Sequence, residues 1–243
     1  MTGFLLRKTF YNLRGSLPKI VLVNLGFTVI FFISVFFPGL FASGVILWGI
    51  RAMGILLCSI YLCAAAMSVK SISGYRSFDI DCFIKNLKEA LPAGIVMGLL
   101  LFIIAALMLL ALPFYMSIDS LFGLILAAVT FCIVVVVLLS LQFFFAIYAR
   151  LDTKLHKVFK KCVIIFLENP VMSVFLLFCN TAALIISVPL IFLLPGPAGI
   201  LLFLDEALRL CLIKYEWLQA NPEADPRKIP WDRLLAEERE KTL

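Results

Sequence analysis

Arg51, Asp205, Glu206 and Arg209 are charged residues set inside long apolar runs, and they are where chemistry would be sought first. A charge at the centre of a membrane helix costs about 2.5–3.5 kcal/mol even on lenient scales, so it usually faces protein or water. Arg51 suits contact with an anion or a carboxylate in a cavity. Asp205 and Glu206 suit a proton or cation site, as mid-depth carboxylates provide in transporters. Arg209 follows Asp205 by four residues, a spacing that permits a same-face pair. Each has a plainer alternative. Arg51 snorkels outward or forms a structural ion pair with Asp119, Asp205 or Glu206. The last helix is short, tilted or displaced inward, leaving its charges near the cytoplasmic interface. Asn24, Gln142, Asn180 and Thr181 are further polar residues in apolar runs, and interhelical hydrogen bonds are their common use.

Other chemistries lack their residues. The seven cysteines (Cys58, Cys63, Cys82, Cys132, Cys162, Cys179, Cys211) are scattered and His156 is the one histidine, whereas zinc and iron–sulfur sites need clustered ligands. No glycine-rich phosphate loop and no Ser/His/Asp arrangement occurs. The expectation is a protein that is not an enzyme and holds no cofactor.

The elements that position the charges follow from composition. Of 243 residues, 63% are hydrophobic and 15% charged, against about half and about a quarter in soluble domains. The apolar residues come in long blocks, which excludes a soluble enzyme, a disordered chain and an outer-membrane barrel of alternating strands. An all-α polytopic membrane protein remains. A spanning helix needs about 20 mostly apolar residues. Segments 18–37, 41–69, 92–115, 121–149 and 170–194 qualify, and 197–215 is long enough but carries the charges. The first apolar run is longer than the ~7–15 residues of a signal-peptide core, and no clear small-residue cleavage site follows it.

The net charge of +6 is very unevenly placed. Of the 21 Lys and Arg, 20 fall before the first span, between spans two and three, between four and five, or from Arg209 onward. The turns around Gly39, Ser117 and Gly196 hold none. The positive-inside rule then puts both termini in the cytoplasm and favours six spans over five. The charge thus points to anionic lipid of the cytoplasmic leaflet and not to nucleic acid.

The six helices read as three hairpins, at about 1–69, 70–149 and 150–217. NLRGSLP (residues 12–18), NLKEALP (86–92) and FLENP (166–170) precede spans one, three and five, and proline suits the first turn of a helix. This reads as an internal repeat, each hairpin preceded by an amphipathic interfacial helix. Leu6, Phe10, Leu13 and Leu17 oppose Arg7, Lys8 and Arg14. Ile80, Phe83, Ile84, Leu87 and Leu91 oppose Asp79, Asp81, Lys85, Lys88 and Glu89. Leu151, Leu155, Val158, Phe159, Cys162 and Phe166 oppose Lys154, Lys157, Lys160 and Lys161. Such spacing is helical, and basic amphipathic helices lie in the headgroup layer. The last set of lysines is also a candidate surface for a partner. Gly94 and Gly98 form a G-x-x-x-G pair for close helix contact, expected within the chain. Residues 218–243 form a cytoplasmic tail, a Pro-rich linker and then a short charged helix. There Trp231, Leu234 and Leu235 dock the tail on the protein or bind a partner.

Three stretches carry a family likeness: Asn24 followed by Pro38-Gly39; Phe78, Phe83 and Asn86 before span three; and Tyr148, Arg150, Lys160, Lys161 and Pro170 after span four. With the 189–202 stretch PLIFLLPGPAGILL, they make residues 1–215 resemble the YesL-like family of uncharacterised bacterial integral membrane proteins. The resemblance implies an inner-membrane accessory protein of carbohydrate uptake, acting with an ABC-type importer or another membrane partner. It implies no functional residues. An autonomous small-solute or ion-coupled transporter using Arg51, Asp205 and Glu206 is the alternative. The oligomeric state is not read from the sequence.

Overall fold

The computed structural model describes residues 2–40, 44–73, 80–222, 229–231 and 234. Among them the chain is helical, without strands: α1 (Thr2–Gly15), α2 (Leu17–Phe36), α3 (Gly44–Ser73), α4 (Ile80–Ala106), α5 (Leu112–Ser117), α6 (Leu121–Leu141), α7 (Phe144–Arg150), α8 (Leu155–Glu168), α9 (Pro170–Ser187) and α10 (Gly196–Ala220). Five segments are long and apolar enough to cross a membrane: Leu17–Gly39, Ile46–Ser71, Asp81–Ser117, Leu121–Arg150 and Pro170–Ser187. Their outward faces carry exposed Leu, Ile, Val and Phe, which is the surface a helix presents to lipid. The chain is a multi-pass membrane protein. α10 is not among the five. It is long, but Asp205, Glu206 and Arg209 interrupt it, and most of its residues from Gly196 to Cys211 are buried at the centre of the bundle.

Small residues set the helix contacts. Gly94 and Gly98 of α4 lie on α3, where a Cβ at Gly94 would overlap the Ile60 backbone and one at Gly98 would come 2.8 Å from Leu56 Cδ2. The G-x-x-x-G pair therefore joins two helices of one chain. Asn86 Nδ2 donates to Ser68 Oγ at 3.2 Å in the same antiparallel register. Gly54 lets α3 approach Ser34 of α2, and the Tyr61 hydroxyl donates to the Val23 carbonyl at 2.7 Å.

The prolines behave differently from one another. Pro18 and Pro170 stand in the first turns of α2 and α9, after breaks at Ser16 and Asn169. Pro92, expected to begin a span, lies inside the continuous helix α4. The middle amphipathic stretch is accordingly the first turns of α4 and not a separate interfacial helix. A proline there removes one backbone bond, and the close packing of Ala90, Ala93 and Gly94 on α3 holds the helix through the gap. Before Pro113 the helix widens into a π turn, Leu107–Ala111, which makes room for the ring against the preceding turn.

α9 ends at Ser187, seven residues before the expected end of the fifth span, because the chain is captured by α2. Asn24, fully buried, donates through Nδ2 to the carbonyls of Leu193 (3.0 Å) and Pro195 (2.9 Å), and its Oδ1 accepts from the Ala198 amide (2.8 Å). Thr28 donates to the Ile191 carbonyl at 3.1 Å, and Ser187 Oγ accepts from the Gly196 amide at 2.9 Å. Phe192 packs its ring against Phe31, centroids 4.9 Å apart. These contacts hold Ile191 and Phe192 at φ of 53° and 58°, a conformation that costs a β-branched residue about 1–3 kcal/mol. The turn expected beyond the outer surface thus meets the middle of α2.

Candidate functional site

α10 enters the bundle at this turn and runs back past α1 and α7. Nine residues after Gly196, about 14 Å along the helix, it brings Asp205 and Glu206 to a ring of cations. Both acids are buried, Glu206 completely. Glu206 Oε1 accepts from Asn12 Nδ2 at 2.9 Å and from Arg209 Nη1 at 3.2 Å, and its Oε2 lies 2.9 Å from Lys8 Nζ. Asp205 is gripped bidentately by Arg150 of α7: Nη2 donates to Oδ2 at 2.6 Å and Nε to Oδ1. Two acids thus meet Lys8, Arg150 and Arg209, with α1, α7 and α10 each supplying part of the cluster. Buried charges persist only when paired and hydrogen-bonded in this manner. Arg209 reaches Glu206, three residues back on the same helix.

Lys70 marks the level of this cluster on α3, because its ammonium donates to the carbonyl of Ala149, next to Arg150, at 2.8 Å. Arg51 is 19 residues earlier on the same helix, about 28 Å away along the axis. The structure therefore does not bring Arg51 together with Asp205 and Glu206. α3 is described from Gly44, residues 41–43 lying outside the described set. Gly54, one turn further in, faces Ser34, close to the C-terminal end of α2. Arg51 thus lies toward the end of α3 that packs beside the C-terminal end of α2. Its guanidinium stands 5.6 Å from the Trp48 ring centroid, and among the described residues no carboxylate pairs with it.

The lysines of the partner surface line α8. Lys154, Lys157 and Lys160 are exposed and Lys161 is half-buried, while Val158, Cys162 and Ile165 turn inward. Asp152 accepts from the Lys154 amide at 3.1 Å and faces Lys157 (4.0 Å) and Lys161 (3.6 Å). The Lys154 amide, then the two ammonium groups, hold its carboxyl below the usual carboxylate value. Burial pushes the Cys162 thiol up to about 12, which leaves it unreactive. Among the described residues no three of His, Cys, Asp and Glu gather as metal ligands. Of the tail, Ile229 is buried and Trp231 packs on the core. Leu234 is half-buried, and Leu235 and the rest of the charged helix lie outside the described residues, as do Arg76, Phe78 and Asp79.

Lys8, Asn12 and Arg150 are the members of the charge cluster that spacing alone did not single out. Lys8 and Asn12 are four apart, one turn of α1, which puts them on one face. Gln142 makes the expected interhelical bond, to Ser173 of α9. The Gln142 amide donates to the carbonyls of Leu139 (3.0 Å) and Ser173 (2.9 Å), while its Oε1 and the Asn180 Oδ1 are buried without a hydrogen-bond donor. Both residues line an apolar cavity of about 340 Å³ between α2, α4, α6, α9 and α10. Comparison of the chain with models of known protein families, with curated proteins and with solved structures finds no match.

Proposed function

We propose that this chain is a non-enzymatic accessory protein of the bacterial cytoplasmic (inner) membrane that binds a partner in carbohydrate uptake, an ABC-type importer or another membrane protein. In this reading both termini are cytoplasmic and the helices form three hairpins. The third, α9 and α10, enters from the cytoplasmic side and turns at the middle of α2. The basic helices α1 and α8 lie against anionic lipid of the cytoplasmic leaflet, where each exposed Lys or Arg contributes about 1 kcal/mol.

The observation that carries the proposal is the pairing of Asp205 and Glu206 with Arg150, Lys8 and Arg209. Acids held in this way are structural, and their distance from Arg51 argues against a shared polar cavity for an autonomous transporter. What α8 then offers is a fixed basic face, Lys154, Lys157 and Lys160, with the geometry of a docking surface. The link to carbohydrate uptake rests on the YesL-like resemblance.

Affinity purification after mild detergent extraction tests the proposal. Importer subunits should be recovered with the chain, and less so after Lys154, Lys157 and Lys160 are changed to Gln. Recovery of the chain alone, under conditions that preserve importer complexes, overturns it.

A further inference from the structure

Arg51 stands at the mouth of a groove of about 450 Å³ between α2, α3 and α4. Its walls are Phe27, Phe31, Leu62 and Leu101, with Ser34 and Cys58 nearer the mouth. From Arg51 to Leu62 the groove follows α3 for eleven residues, about 16 Å. That is about half the ~30 Å hydrocarbon thickness of a bilayer, the depth of one leaflet. Phe27, Leu62 and Leu101 also line the 340 Å³ cavity beside Asn180.

We infer that this groove holds one anionic glycerophospholipid of the non-cytoplasmic leaflet, its phosphate on the Arg51 guanidinium and one acyl chain between α2, α3 and α4. The inference rests on the orientation proposed above and not on the importer. Two features select the occupant. A guanidinium binds phosphate in a bidentate fork, and Arg51 has only the Trp48 ring for company among the described residues. Trp and Arg together are typical of the headgroup level. A soluble anion would match the charge and leave the apolar walls uncovered. A neutral lipid would cover the walls and leave the guanidinium without a counter-charge. An anionic phospholipid does both.

Trp48 reports on this site separately from the basic cytoplasmic face. The full chain carrying Trp217→Phe and Trp231→Phe keeps Trp48 as its one indole. It is placed in phosphatidylcholine vesicles doped with dibrominated phosphatidylglycerol or dibrominated phosphatidylcholine, and bromine quenching of Trp48 is titrated. The anionic lipid should quench at about fivefold lower mole fraction, the preference that one basic contact gives. Arg51→Gln should abolish the difference and Arg51→Lys should keep it. Equal quenching by the two lipids, or a preference that survives Arg51→Gln, overturns the inference. So does relief of quenching by inorganic phosphate, which would make this a site for a free anion. Importer recovery is unaffected by either result, so the two proposals fail separately.

Discussion

Lys8 and Glu206, separated by most of the chain, meet at 2.9 Å with the carboxylate fully buried. Asn12 and Arg209 share the other carboxylate oxygen. The contact ties α1 to α10. Removing one partner of a buried pair leaves the others charged and uncompensated, at a cost of about 3–5 kcal/mol. Glu206→Gln should therefore destabilise the fold by about 3 kcal/mol, since Lys8 and Arg209 are left to repel one another. Lys8→Met should cost less, because Arg209 and Asn12 remain on the acid. The double variant should cost less than the sum of the two. Equilibrium unfolding in micelles measures the cycle, and strict additivity would show that the pair is not coupled.

Asn24 satisfies three backbone groups of the α9–α10 turn with one side chain. Leucine has nearly the same volume and can bond none of them. Each buried group left without a partner costs about 1–3 kcal/mol, so Asn24→Leu should lose about 3 kcal/mol or more. The loss should be local first, because the strained residues Ile191 and Phe192 are held by the same contacts. Hydrogen exchange should show the Gly196 and Ala198 amides opening ahead of the α3–α4 pair. Unchanged protection at those two amides would contradict the bracing role.

Gly94 and Gly98 differ in what a methyl group would meet. At Gly94 it strikes the Ile60 backbone, and at Gly98 its nearest neighbour is the movable end of Leu56. Overpacking costs about 1–3 kcal/mol. Gly94→Ala should sit at the upper end and Gly98→Ala at the lower. Thermal unfolding in detergent ranks them, and an inverted order would mean that α3 and α4 separate more easily than their packing implies.

These sites also show what a sequence can and cannot disclose. The apolar runs and the G-x-x-x-G pair were legible because each reports on a surface: lipid in one case, a close neighbour in the other. Lys8 reads as a headgroup lysine from its sequence, since an amphipathic pattern defines two faces but does not name what either touches. Asn24 was visible as a polar residue in a span, but its partners are backbone atoms, which every residue has. That is why the turn around Gly196 reads as an outer turn between two spans instead of a contact with the middle of α2. Pro92 resembled Pro18 and Pro170 in its surroundings, yet only those two begin helices. The small residues beside Pro92 on α4 decide the difference, and the surface they pack on belongs to another helix, α3. Arg51 and its groove are half legible: the charge is in the sequence, and the groove beneath it is not.

Asp152 gives the segment between α7 and α8 a pH dependence of definite sign. Its carboxylate accepts from the Lys154 amide and faces Lys157 and Lys161, and its pKa is lowered from 3.8 by that amide first and the two lysines after it. A carboxyl with a lowered folded value binds protons less readily folded than unfolded. Its contribution is therefore complete above 3.8 and is lost as the pH falls through the lowered value. The Lys154 amide resonance should titrate with a midpoint below 3.8 and stay flat through the neutral range. In Asp152→Ala the inflection should vanish and the first turn of α8 should exchange its amides faster at neutral pH, an effect that salt weakens in its lysine component. A midpoint at or above 3.8 would show that the amide and the two lysines do not hold the carboxylate in the folded chain.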